Sequence, residues 1–211
     1  MSALVLAGLA SACAGGGSSG DATTGGEAAA AAARPKVVAQ PAATTPDAAF
    51  PVVENLVIEA TGLADQLFED PSVVEDGHAK LLDRFHDVYT ADSPTPAGVE
   101  AQLRKLNAAG RRYRPGPSGR LRDVGVYRMT ASGADQVAFR VCAVEDMEIV
   151  NAAGKVVGRR SQVTQGDGWA QRTKGIWHFA GIDPDEAATL PIAPGSAPSG
   201  FCDSLLGGLA Q

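Results

Sequence analysis

From Asp135 to Asp183, runs with strand character, the first alternating at period two from Val137 to Val144, are separated by short turns, so this stretch reads as a strand meander. Val137, Phe139, Val141 and Ala143 fall on one face, and Ala138, Arg140, Cys142 and Val144 on the other. A short strand from Met147 to Val150 leads to Asn151-Ala152-Ala153-Gly154, where Asn and Gly accept the positive φ angles of a tight reversal, and Val156-Val157 continues beyond it. Arg159 to Arg172 reads as a further strand with Trp169 near its end. After Lys174-Gly175, the run from Ile176 to Ile182 marks a last strand, expected at the centre of the sheet.

Helical patterns come first in the chain. Val53, Leu56, Val57, Ala60, Ala64, Leu67 and Phe68 recur at three- and four-residue spacing, which predicts a helix from about Val52 to Glu69, interrupted by Pro71. Ser72-Val73-Val74-Glu75 has the form of a capping box, after which Val74, His78, Leu81, Leu82, Phe85, Val88 and Tyr89 line one face of a second helix. A third is bounded by Thr95 as N-cap, Pro96 at the first helical position and Gly110 at the C-terminus, with Val99, Leu103 and Leu106 inward. Arg111 to Gly119 reads as a loop and Leu121 to Thr130 as the first strand. Three helices followed by a curved antiparallel meander predict an α+β fold, with the helices gathered on one face of the sheet.

Both ends of the chain differ in composition from this middle. Ala3 to Ala10 is apolar but far short of the roughly 18 residues of a membrane span, and it suits the core of a signal peptide. Leu9-Ala10-Ser11-Ala12-Cys13 resembles a bacterial lipobox, in which small residues before a Cys permit cleavage and lipid attachment at that Cys. No Lys or Arg precedes the apolar run, and Ala10 stands where Leu or Val is commoner. Ala14 to Ala49 is Gly, Ser, Thr, Ala and Pro, too poor in apolar surface to offset its ordering entropy. As a flexible coil of about 36 residues it would span about 30–36 Å. The expected organisation is a signal peptide over 1–13, a linker over 14–50, one domain over 51–183 and a tail over 184–211.

Export places the other two cysteines where disulfides persist. Cys142 lies mid-strand and Cys202 in a tail with little apolar surface of its own, so a Cys142–Cys202 bridge is expected to pin the tail across the sheet.

Chemistry is thinly signalled. The net charge of −6 excludes a general polyanion binder and gives no reason to expect nucleic acid as a partner. Ser-His-Asp and H-E-x-x-H constellations are absent, as is a glycine-rich nucleotide loop between a strand and a helix. His78 and His86, with Asp83 and Asp87, make an acidic helix and not a metal cluster, so neither metal nor cofactor is expected. Charge is uneven. Arg111, Arg112, Arg114, Arg120 and Arg122 fall close together as a candidate basic docking face, with Arg104, Lys105 and Arg128 nearby, whereas the first two helices are rich in Asp and Glu.

The order helix, helix, helix, G-x-x-Y loop, strand, long strand bearing Cys142, E-D-x-x-x-V-N-x-x-G-K-V-V and a last W-x-F-x-G-I strand resembles small lipoproteins of high-GC Gram-positive bacteria whose folded part is nuclear-transport-factor-two-like. The resemblance covers about Val52 to Ile182. It implies a cystatin-like cone, a strongly bent antiparallel sheet wrapped around three N-terminal helices, in a family of both enzymes and non-catalytic surface proteins. A cone of this type would place some of Tyr127, Met129, Phe139, Val141, Trp177 and Phe179 around its cavity, with His86 and Tyr89 from the helices. Isomerase-type chemistry there needs a carboxylate or His base in an apolar pocket. Asp123, Asp146, His86 and Tyr127 are the candidates, and no spacing pairs them. The function expected is a lipid-anchored domain on the outer face of the cytoplasmic membrane, without catalysis, that binds or supports an envelope protein or anionic polymer. The alternative is a small-molecule carrier or an isomerase- or cyclase-like enzyme using the cone.

Overall fold

The computed structural model describes residues 45–75, 79–184 and 190–196. Helix α1 runs from Pro46 to Glu69, starting ahead of the expected Val52 because Thr45 caps it: the Thr45 hydroxyl accepts from the Ala48 amide at 3.3 Å, and Pro46 presets the first turn. Pro51 lies inside the helix and forgoes a backbone bond, but Ala49 and Val53 on either side are fully buried and hold the segment down. The expected capping box does not form. Asp70 takes that part instead, accepting from the Ser72 amide at 3.3 Å and hydroxyl at 2.6 Å, so Pro71–Val74 is a single 3-10 turn. Helix α2 spans Ala79–Val88 and α3 spans Thr95–Ala108, which ends in Gly110 at φ 59° as the sequence predicts.

One six-stranded antiparallel sheet follows: β1 Arg111–Pro115, β2 Arg122–Gly133, β3 Gln136–Asn151, β4 Val156–Thr173, β5 Ile176–Pro184 and β6 Leu190–Pro191. β3 is its spine. One edge of β3 carries β2 along Gln136–Glu145 and β1 along Met147–Asn151, and the other edge pairs with β4 throughout. β1 falls in what the sequence suggests is a loop; Tyr113 is buried between exposed arginines, and this alternation is the strand signal. β5 pairs only with β4 among the strands, so it lies at an edge and not at the centre. Its bulky residues meet helices instead: Tyr89 bridges Phe179, and the Thr90 amide donates to the Phe179 carbonyl at 3.0 Å, covering an edge that would otherwise be open. The three helices pack on one face of the curled sheet, with Val57, Ala60, Leu67, Phe68, Phe85, Leu103, Val137, Phe139, Val141 and Trp177 in the core between them.

The opposite face of β3 carries a strap. β6 pairs with Gln162 and Val163 of β4, the Ile192 amide donates to the Ser161 carbonyl at 3.0 Å, and the chain then reaches Asp146 on β3, whose carboxylate accepts from the Gly195 amide at 3.3 Å. The same carboxylate accepts from the Ser118 amide and the Ser161 hydroxyl, both at 2.7 Å. The Asp146 carbonyl accepts from the Gly116 amide at 2.8 Å, an approach so close that a Cβ at Gly116 would lie 2.7 Å from that oxygen. Burial raises the Asp146 pKa, but these bonds to its charged form outweigh burial and lower it.

Candidate functional site

Inside the cone, α1 presents Thr61, Ala64, Asp65 and Phe68 at i, i+3, i+4 and i+7, so Asp65 shares the apolar face of its helix. Across from it, the first residue of β2, Arg122, lies in register with Glu145 of β3. Arg122 pairs with Asp65 and stands 3.4 Å from Glu145, and its guanidinium lies 5.2 Å over the Phe68 ring. Arg160 of β4 closes the group from the far side, 2.8 Å from Glu145 as an ion pair without an aligned hydrogen bond. The Arg122 side chain is 4% exposed and that of Glu145 1%, so these charges have left water and depend on one another. Burial pushes the Asp65 carboxyl up to about 6; Arg122 opposes this, while Glu69 and Glu145 add to it.

Below this network lies a cavity of about 40 Å³, with Phe68, Phe85, Tyr89, Phe179, Val57 and Ala143 among its lining and Arg122 as the charged residue that reaches it. An aromatic chain fills the surrounding space. Phe85 and Tyr89 are 5.0 Å apart, Tyr89 and Phe179 5.3 Å, and Phe179 and Phe139 5.8 Å between ring centroids. Burial raises the Tyr89 phenol, which stays neutral. Tyr113 stacks on Phe68 at 5.1 Å and accepts from Gln102 at 2.8 Å, sealing the β1 side. Asp65 does not line the cavity; Arg122, which does, holds it. A space of this size admits about one or two waters, whereas small-molecule pockets run to about 300–1,000 Å³.

Of the expected cavity residues whose side chains are described, Phe179 and Tyr89 line it. Phe139, Val141 and Trp177 are buried core, with Phe139 pressed against Phe179 and facing Gly168, and Met129 packs at the margin of the core. His86 belongs to the surface: it is 44% exposed and bonds Glu100 of α3 at 2.7 Å. Tyr127 is the extra residue of a bulge between Val126 and Arg128, and its side chain lies outside the described residues. Asp123 pairs with Arg120 at 3.5 Å, and Asp146 is the knot of the strap, so neither faces the interior. His78, Cys13 and Cys202 lie outside the described residues. Among the described residues no group of three or more His, Cys, Asp or Glu side chains could hold a metal.

The basic segment is redistributed in the same way. Arg122 is interior and leaves the docking face. Arg114 is held by Glu148 at 2.7 Å, which Arg159 of β4 grips from the other side at 2.9 Å, and these bonds, Arg114's first, lower the Glu148 carboxyl. Arg111 and Arg112 are exposed.

Asp65 and Glu145 escape sequence reading because an acid on a helix or strand is usually a solvated one. Their positions carried a signal: Asp65 falls within the apolar face of α1, and Glu145 falls on the inward alternation of β3 between Ala143 and Met147.

No family model matches the chain, and no curated protein does. Among solved structures it is similar to a ketosteroid isomerase-like protein from Erwinia carotovora atroseptica, at 14% identity and TM-score 0.41, covering 69% of this chain and 98% of that one. It is similar to an NTF2-like protein with a cystatin-like fold from Novosphingobium aromaticivorans, at 16% identity and TM-score 0.39, covering 65% and 84%. It is also similar to the intermembrane space region of the chloroplast protein ARC6, at 10% identity and TM-score 0.42, covering 64% and 94%. Three helices cupped by a curled antiparallel sheet stand on the strand register given above.

Proposed function

We propose that the chain is a lipid-anchored extracytoplasmic domain that acts through its surface as a binding or scaffolding module. The observation that carries this is the filled interior: a cavity of about 40 Å³ walled by Phe68, Phe85, Tyr89 and Phe179, whose charged residue Arg122 is committed to Asp65 and Glu145. Lipidation at Cys13 supplies the anchor, and the linker supplies reach. Among the described residues no helix is long and apolar enough to cross a membrane. Intact-mass analysis of protein extracted from membranes is expected to show loss of residues 1–12 and added acyl mass. Unchanged processing and membrane retention in Cys13→Ala would overturn the anchor.

A second reading, a carrier or isomerase-like enzyme, is favoured by one arrangement: Asp65, whose carboxyl burial pushes up to about 6, pairs with the Arg122 that reaches the apolar cavity. It requires the cavity to open. A small ligand that co-purifies in native mass spectrometry and is lost in Asp65→Asn would establish it in place of the first.

A further inference from the structure

We infer that the β3–β4 hairpin tip and the neighbouring end of β1 form a docking surface for anionic lipid headgroups. This deepens the tethered reading above and rests on it for proximity to a membrane. The register brings three strands together at this end: Arg111 faces Asn151, Arg112 faces Val150, and Val150 faces Val156. Arg111, Arg112, Lys155 and Arg159 are all exposed there, and the acid that these strand ends and their turn contribute, Glu148, is buried and neutralised by Arg114 and Arg159. β1 and β4 flank β3, two strand spacings or about 10 Å apart, so the cations of the two strand ends lie at the Debye length of about 8–10 Å and join at the tip into one patch.

A bulge adds an apolar element. Ile149 pairs with Gly158 and Val150 with Val156, which leaves Val157 as the extra residue, turned outward and 45% exposed between Lys155 and Arg159. A hydrated polyanion gains nothing from this valine. A bilayer interface does, because it offers acyl carbon beneath phosphate, and a β-branched side chain rimmed by cations matches both layers.

The test uses the full chain carrying Cys13→Ala, so that no acyl anchor contributes, sedimented with phosphatidylcholine vesicles with and without phosphatidylglycerol. Binding is expected only with the anionic lipid, and it should weaken as salt rises. Arg111→Ser, Arg112→Ser and Lys155→Ser together are expected to lower the partition coefficient about a hundredfold, and Val157→Ser to lower it several-fold at low and high salt alike. Circular dichroism checks that each variant is folded. Equal partition of the triple variant, equal binding to neutral vesicles, or Val157→Ser without effect while soluble poly(glycerol phosphate) competes fully would each overturn the proposal, the last in favour of a polymer. Acylated wild-type protein held in membranes despite such a failure would leave the anchor standing and remove only the face.

Discussion

Asp65 on α1 and Arg122 on β2 form an ion pair across the helix–sheet interface, and Arg122 extends it to Glu145 at 3.4 Å. The first helix is thus bound to the sheet by charge as well as by packing, at a place where either carboxylate alone would be expensive to bury.

Removing the cation should be far worse than removing one anion. Arg122→Ala leaves the buried Glu145 and the part-buried Asp65 without their shared cation and strips a cation from the Phe68 face, so a loss of about 3–5 kcal/mol is expected in urea unfolding. Arg122→Met, which keeps volume but not charge, should not rescue it while both acids remain. Adding Asp65→Asn to Arg122→Met should recover part of the loss, and a strictly additive double variant would contradict the pairing.

Asp65 sets a pH dependence of unusual sign. Its folded pKa of about 6 exceeds the value of 3.8 for a free Asp, so between these pH values the native state holds more protons than the unfolded one and stability falls as pH rises. Relative to Asp65→Asn, wild type should lose up to about 3 kcal/mol between pH 4 and 7. Thermal melts of both proteins across this range provide the check; parallel curves would show that Asp65 does not titrate there.

How much of this was legible in the sequence follows from what each signal measures. Period two locates the start of β3, where Val137, Phe139 and Val141 alternate with less buried residues, but from Val141 to Glu148 both faces are buried and the pattern fades, so the sequence splits into two what is one strand. Spacing at three and four reads Val99, Leu103 and Leu106 correctly on α3. β1 was missed because its signal is one tyrosine among arginines and a proline, and Asp146 was read as a candidate acid because its partners, at Ser118 and Gly195, are 28 and 49 residues away. Pattern reading sees near neighbours; the ion pair between Asp65 and Arg122, 57 residues apart, exists only once the sheet has curled around the helices.

Asp146 ties the β1–β2 loop, β4 and the strap into one unit. Asp146→Ala should cost about 1–3 kcal/mol and leave the amides of Ser118 and Gly195 without their acceptor. Since its pKa is lowered, the stability it adds is present above the ordinary Asp value of 3.8 and is lost as pH falls through the lower folded value. Gly116→Ala should mimic part of the effect through a clash with the Asp146 carbonyl. Limited proteolysis should cut both variants faster beyond Leu190, and unchanged cleavage would show that the strap is held elsewhere.

The last prediction concerns what else holds that strap. Cys142 is wholly buried on the strap side of β3. With Cys13 proposed as the anchor, Cys202 is the cysteine left to partner it, and the Asp146–Gly195 bond holds the described end of the strap over this face. A Cys142–Cys202 bridge would close a loop of about 60 residues, equivalent to roughly 4 kcal/mol in the chain-entropy model and less if the reduced chain keeps residual structure. Non-reducing peptide mapping of exported protein should recover the two peptides joined. Cys202→Ser should lower the midpoint of urea unfolding and expose Cys142 to slow alkylation, which separates a bridge from mere burial. Both thiols found free in exported protein would remove the bridge and leave Asp146 as the tie already visible between strap and sheet.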